Sequence, residues 1–155
     1  MQLATAFGGS VTGVCSARGM ETVRALEANT VIDYTKEDFT QNGERYDLIL
    51  DVAANRSVSE YRRTLKPGGT CVVIGFSTIR HMLSAGFSAK RDGKKIAILA
   101  ANNKDGNDLR FLNSLIEGGK VKPVIDSRYT LCEAAEAIRH VEGNHPIGKV
   151  VITMG

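Results

Sequence analysis

Short runs of β-branched residues alternate with amphipathic stretches along most of the chain. Ser10-Val-Thr-Gly-Val-Cys-Ser16, Thr30-Val-Ile-Asp-Tyr34, Tyr46-Asp-Leu-Ile-Leu-Asp-Val52 and Gly69-Thr-Cys-Val-Val-Ile-Gly75 read as strands. The middles of the last two, Leu48 to Leu50 and Val72 to Ile74, are continuously apolar, the pattern of strands covered on both faces in a parallel sheet. Between them Met20, Val23 and Leu26 fall at helical spacing, as do Val58, Tyr61 and Leu65. Ser57-Val-Ser-Glu60 is a capping box that opens the second of these helices, and Pro67-Gly68 closes it.

In the second half, residues 76–93 read as loop with a short helix, followed by a strand over Lys95-Ile-Ala-Ile-Leu-Ala-Ala101. Asp108 caps a helix whose core side is Leu109, Leu112 and Ile116 and whose end is Gly118-Gly119. A strand at Lys122-Pro-Val-Ile-Asp126 follows, then a capping box at Thr130-Leu-Cys-Glu133. The chain ends on a helix facing inward through Leu131, Ala135, Ile138 and Val141 and a strand over Gly148-Lys-Val-Val-Ile-Thr153. This alternation predicts an α/β chain with a Rossmann-like doubly wound parallel sheet.

The 155 residues, 43% of them hydrophobic, are enough for one buried core. Lys and Arg number 20 against 17 Asp and Glu, a balance of +3 spread without a run of one sign. With no Trp, five Phe and four Tyr, the chain has little stacking surface, and no nucleic acid partner is expected. No apolar stretch reaches the roughly eighteen residues of a membrane span, and the first residues do not form a signal peptide, so a soluble, cytoplasmic protein with no membrane partner is expected. Cys15, Cys71 and Cys132 are odd in number and lie in apolar surroundings, as buried thiols in a reducing compartment would.

In an open parallel sheet ligands collect outside the carboxyl ends of the strands. After the first strand stands Cys15-Ser16-Ala17-Arg18, a small hydroxyl and a cation where an NAD-selecting fold would present Asp or Glu, which favours NADP. A solvated Arg18 just before a helix is the alternative reading. Tyr34 ends the second strand, where it could flank the same phosphate or plug the core edge. The next strand ends carry Ala53-Ala54-Asn55 and Gly75-Phe76-Ser77, small residues that admit either a cofactor or a tight turn. Asp51 reads as a structural turn residue, and Lys149 as a solvated strand end. Neither G-x-G-x-x-G nor G-x-x-x-x-G-K-[ST] occurs. His81, His140 and His145 share no ligand spacing with a Cys pair, so no metal site is expected, and no G-x-S-x-G elbow supports a hydrolase.

The order of segments resembles the zinc-free quinone oxidoreductase-like branch of the medium-chain dehydrogenase/reductase superfamily. The similarity is carried by Gln2-Leu-Ala-Thr-Ala-Phe-Gly8, Val11-Thr-Gly-Val-Cys-Ser16, Val31-Ile-Asp-Tyr34, Tyr46-Asp-Leu-Ile-Leu-Asp51, Gly118-Gly-Lys-Val-Lys-Pro-Val-Ile125 and Gly148-Lys-Val-Val-Ile152, which span nearly the whole chain. The resemblance implies an enzyme that passes a hydride between NADP(H) and a small quinone, enone or related carbonyl, without zinc. It implies that Ser16, Arg18 and Tyr34 contact the adenosine phosphate and that Gly75 and Phe76 approach the nicotinamide side. It assigns no catalytic residue and no proton donor.

The resemblance also implies two parts, a partial NAD(P)-binding domain over residues 1–119 and a return segment over 120–155 that would complete a GroES-like catalytic domain. Family members enter the nucleotide domain through a strand and a Gly-rich turn that should precede Gln2. In the strand order 3-2-1-4-5-6 that strand is central, so the sheet is expected to divide there, with a strand-helix-strand extension at the C-terminus. Val124, Ile125 and Val150 to Ile152 are then expected to present apolar surface that is either covered by a second copy of the chain, as a homodimer, or left as an aggregation risk. The alternative is a non-catalytic nucleotide-binding or interaction fragment.

Overall fold

The computed structural model describes residues 1–53, 55–74, 90–91, 93–99, 106–144 and 146–154. They form two compact units, one of Met1–Lys36 with Asp105–Gly155 and the other of Glu37–Lys104.

The first unit begins with a short helix α1 (Gln2–Ala6), strand β1 (Thr12–Cys15), a 3₁₀ turn (Ala17–Gly19), helix α2 (Met20–Ala25) and strand β2 (Thr30–Asp33). β1 and β2 pair in parallel, Thr12 opposite Thr30 and Cys15 opposite Asp33. α2 lies close on β1 because position 13 has no side chain: a Cβ there would collide with Val23 Cγ1 and come within 3.3 Å of Met1 Sδ.

The second unit holds β3 (Tyr46–Asp51), α3 (Val58–Thr64), β4 (Leu65–Ile74), β5 (Lys90–Arg91) and β6 (Lys94–Leu99). Their order is β3-β4-β6-β5, with the first three parallel and β5 antiparallel. Ser57 starts α3 through the capping box read from the sequence: its N–H donates to Glu60 Oε2 at 2.7 Å and its Oγ accepts from Glu60 N–H at 3.3 Å. α3 ends at Thr64, two residues before Pro67 would force it to. It covers one sheet face, where Ile49, Tyr61, Leu65, Cys71, Val73 and Ile96 form the core with Phe39, Tyr46 and Val58 against it. The opposite face departs from expectation. Leu48, Leu50, Val52 and Leu99 are all more than half exposed, whereas Val72 and Ile74 of β4 are half-buried.

The first unit continues with α4 (Asn107–Glu117), β7 (Ile125–Thr130), a 3₁₀ turn (Leu131–Glu133), α5 (Ala134–Asn144) and β8 (Lys149–Thr153). β7 and β8 pair in parallel around α5, which is the expected strand-helix-strand extension. β7 starts at Ile125, three residues later than the sequence pattern placed it. The Thr130 box is present, with Thr130 N–H donating to Glu133 Oε2 at 2.8 Å. The helix faces are corrected: Leu131, Ile138 and Val141 are exposed, and Ala137 is the buried residue of α5. On α4 no residue is buried, and the cap is Gly106 rather than Asp108. Of the residues expected to present apolar surface here, Ile152 is exposed, while Val124, Ile125, Val150 and Val151 are half-buried. The cysteines also divide: Cys71 is buried, Cys15 partly so, and Cys132 exposed.

Among the described residues β1 pairs with β2 alone and β3 with β4 alone. This is the division expected of the doubly wound order without its central strand. No helix is long and apolar enough to cross a membrane among the described residues.

Candidate functional site

Because β1 and β2 run parallel and end level, the residues that leave them are neighbours. Cys15 is opposite Asp33, and the next backbone link, Tyr34 N–H to the Cys15 carbonyl at 3.0 Å, extends the pairing by one step. Ser16 and Tyr34 therefore sit side by side at the carboxyl edge of the strands. Ser16 is extended, with φ −78° and ψ 166°, and opens the 3₁₀ turn without spending its hydroxyl on a cap. Its carbonyl accepts from Gly19 N–H at 2.9 Å, which closes the turn and presents Arg18 at the surface. Gly19 is buried, and a Cβ there would press on Cys15 Cβ at 3.3 Å, so the tight turn depends on a small residue. Tyr34 keeps 55% of its surface exposed, which favours a docking aromatic over a core plug.

A cavity of about 360 Å³ opens beside this turn, lined by Ser16, Arg18 and Gly19 together with the apolar Val23, Leu26 and Ile147. A concave, mainly apolar wall with a cation and a hydroxyl at its edge can seat a flat apolar group while anchoring an attached anion.

Asp33 borders the site, and sequence reasoning missed its role. Its Oδ1 accepts from Thr35 N–H at 3.0 Å and from Thr35 Oγ1–H at 2.7 Å. These bonds, assisted by Lys36, hold its carboxyl below the usual range, so it is anionic at neutral pH. Asp33 is 6% exposed, and Oδ2 is buried without a hydrogen-bond partner. Burial, reinforced by the Asp33 charge, pushes the Cys15 thiol up, which leaves it a poor nucleophile. The Asp-x-Thr spacing of an Asx turn was the available signal.

Of the other sequence-level candidates, Gly75 and Phe76 lie outside the described residues, as do His81 and His145. Asp51 performs the turn role read for it, with Oδ1 accepting from Ala53 N–H at 2.8 Å and Oδ2 accepting from the Tyr61 hydroxyl. Burial, then the Asp51 contact, pushes the Tyr61 phenol up, so it remains a proton donor in that bond. Burial likewise pushes the Cys71 thiol up to about 12. Among the described residues no three His, Cys, Asp or Glu side chains converge as metal ligands.

In the extension, Asp126 ties three elements together. Its Oδ2 meets His140 Nε2 of α5 at 3.0 Å and its Oδ1 accepts from Ile147 N–H, before β8, at 3.0 Å. The His140 contact first, then the Ile147 bond, hold this carboxyl below its ordinary value. A depressed folded-state value stabilises the fold above the unfolded carboxylate range and ceases to do so as pH falls through it. Urea midpoints of the parent chain should therefore drop between pH 7 and pH values below about 4, and the drop should be smaller in Asp126→Asn. Equal drops in both proteins would remove Asp126 from this role.

Comparison with known proteins follows the same lines. Residues 26–152 match the family described as zinc-binding dehydrogenase. The NADPH-dependent alkenal/one oxidoreductase of Arabidopsis thaliana chloroplasts is 32% identical over 144 residues, 92% of this chain and 33% of that protein. The chloroplastic quinone-oxidoreductase QR1 of Triphysaria versicolor is 30% identical over 156 residues, 98% of this chain and 47% of the relative. Among solved structures, the quinone oxidoreductase from Coxiella burnetii superposes with a TM-score of 0.81 at 25% identity, covering 99% of this chain and 48% of that one. The chain thus spans between a third and a half of the length of these curated relatives.

Proposed function

Because the chain belongs to the quinone oxidoreductase-like branch of the medium-chain dehydrogenase/reductase superfamily, we propose that it is the cofactor-holding portion of an NADPH-dependent, zinc-independent oxidoreductase acting on a small quinone, enone or related carbonyl. The observation that carries this reading is the level ending of β1 and β2, which sets Ser16 beside Tyr34 with Arg18 in the turn that follows. The fit to a 2′-phosphate is chemical. Ser16 offers an uncapped hydroxyl and Arg18 a planar fork of donors, while the nearby Asp33 carboxylate is buried and turned to Thr35.

Bound NADPH would supply the hydride. In this reading Arg18 pairs with the 2′-phosphate, Ser16 hydrogen-bonds to it, and Tyr34 flanks the adenosine. Gly75 and Phe76, which follow β4 in the chain, are assigned to the nicotinamide side by the family resemblance. No residue here is assigned to the pyrophosphate, since the sequence has no Gly-rich cradle, and none is assigned to proton donation. Residues 1–119 serve the cofactor, and residues 120–155 belong to the substrate-shaping part. The reading places the protein in the cytoplasm, with a homodimer as the natural cover for the exposed apolar residues of α4 and α5.

The competing reading is a nucleotide-binding or interaction fragment without turnover. Titration with NADPH, followed by nicotinamide fluorescence and then by addition of a soluble quinone, separates the two. Saturable binding with quinone-dependent oxidation is the expected result. Binding without oxidation, or no binding, would support the fragment. Sedimentation velocity tests the dimer, which a well-behaved monomer at micromolar concentration would contradict.

A further inference from the structure

A second concavity, of about 490 Å³, lies in the unit built on β3 and β4 and is lined by Thr40, Gln41, Gly43, Arg45 and Arg63. Arg45 immediately precedes β3, and Arg63 stands in the last turn of α3, just before β4. The groove is therefore at the amino ends of these strands, the opposite end from Asp51 and Ile74. Among the described residues its lining has two guanidinium groups and no carboxylate.

Asp38, two residues before the lining Thr40, is already committed. Asp38 accepts from Thr40 N–H and Thr40 Oγ1–H, each at 2.9 Å, from Gln41 Nε2 at 3.0 Å, and pairs with Arg56 at 3.1 Å. These bonds fix the loop that forms one wall, and Arg56 balances the Asp38 charge. Arg45 is tethered through Nη1 to the carbonyls of Gly43 and Glu44 at 3.2 and 3.0 Å. A guanidinium has five N–H donors, so this tether holds Arg45 in place and leaves the donors on Nη2 and Nε available. Arg63 is exposed and has no ion-pair partner among the described residues. Gly43 adopts φ +87°, and nothing lies within 4 Å of where its Cβ would be, so the floor of the groove is open.

From this arrangement we propose that the groove binds the phosphate of a small phosphomonoester, with Arg45 and Arg63 gripping the dianion. Forked donors match tetrahedral phosphate oxygens. The volume exceeds that of a bare ion and leaves room for an organic group beside it. Arg63 also complements the negative end of α3, so Arg45, whose side chain is exposed outside any helix, is the cleaner residue to replace.

The test is a titration of phenyl phosphate at pH 7.5, followed by ³¹P line width, into the full chain carrying Arg18→Glu, so that the cavity beside the β1 turn does not contribute, with Arg45→Ala and Arg63→Ala each added to it in turn. The expected result is saturable binding to the Arg18→Glu chain that weakens roughly 10-fold or more when either groove arginine is also replaced, as loss of a charge-assisted hydrogen bond implies. Inorganic phosphate should bind more weakly than the ester. Absence of saturation, or unchanged binding in both groove variants, would overturn the site. Equal affinity for inorganic phosphate would overturn the ester assignment. Because the Arg18 anchor is removed in every sample, the result does not depend on the cofactor reading.

Discussion

Leu65→Ala is expected to destabilise the β3–β4–β6 unit by about 2–5 kcal/mol, the range for truncating a fully buried Leu without repacking. Leu65 is fully buried at the junction where α3 ends and β4 begins, so its side chain fills the space between helix and sheet. Its neighbours offer little means of collapse. Tyr61 is anchored through its hydroxyl to Asp51, and Ile49, Cys71 and Ile96 are registered across three parallel strands. Urea unfolding monitored by circular dichroism measures the cost. A change below about 1 kcal/mol, as for a surface site, would mean that this cluster does not organise the unit.

Gly148→Ala is expected to be nearly as damaging, for the opposite reason. A Cβ at this position would lie 2.6 Å from the Val124 carbonyl oxygen and 3.0 Å from the Asp126 nitrogen, both backbone atoms that cannot swing aside. The same carbonyl accepts the Lys149 N–H at 2.7 Å, the bond that sets β8 on β7. Overpacking plus loss of that bond should cost about 2–4 kcal/mol. Hydrogen exchange should show faster exchange of the β7 and β8 amides before those of β4. Unchanged protection in β8 would show that the close approach is not required.

The features that the sequence made legible are those written in local chemistry. Both capping boxes, at Ser57 and Thr130, are formed, because the hydroxyl and the carboxylate three residues on satisfy orphan helix donors without help from the rest of the fold. The strand ends were legible because parallel α/β topology places ligand loops at the carboxyl edge, and the register of β1 with β2 brings Ser16 and Tyr34 there. Periodicity failed on the helices. It shows that α4 and α5 each have an apolar stripe, but not whether anything covers it, and Leu109 and Ile138 remain more than half exposed. The apolar run of β3 misled in the same way, since Leu48 and Leu50 stay more than half exposed where Ile49 is buried. The Asp126–His140 tie was not legible because strand and helix must fold before the two side chains meet, whereas the Asp33 bonds to Thr35 are local and only the burial of Asp33 needed the fold.

The central claim is that the turn after β1 reads the 2′-phosphate that distinguishes NADPH from NADH. Parallel fluorescence titrations of both nucleotides into the parent chain and Arg18→Glu address it most directly. Repulsion between the new carboxylate and the phosphate should weaken NADPH by about 10–100-fold and leave NADH nearly unchanged. Equal loss for both nucleotides would contradict the account.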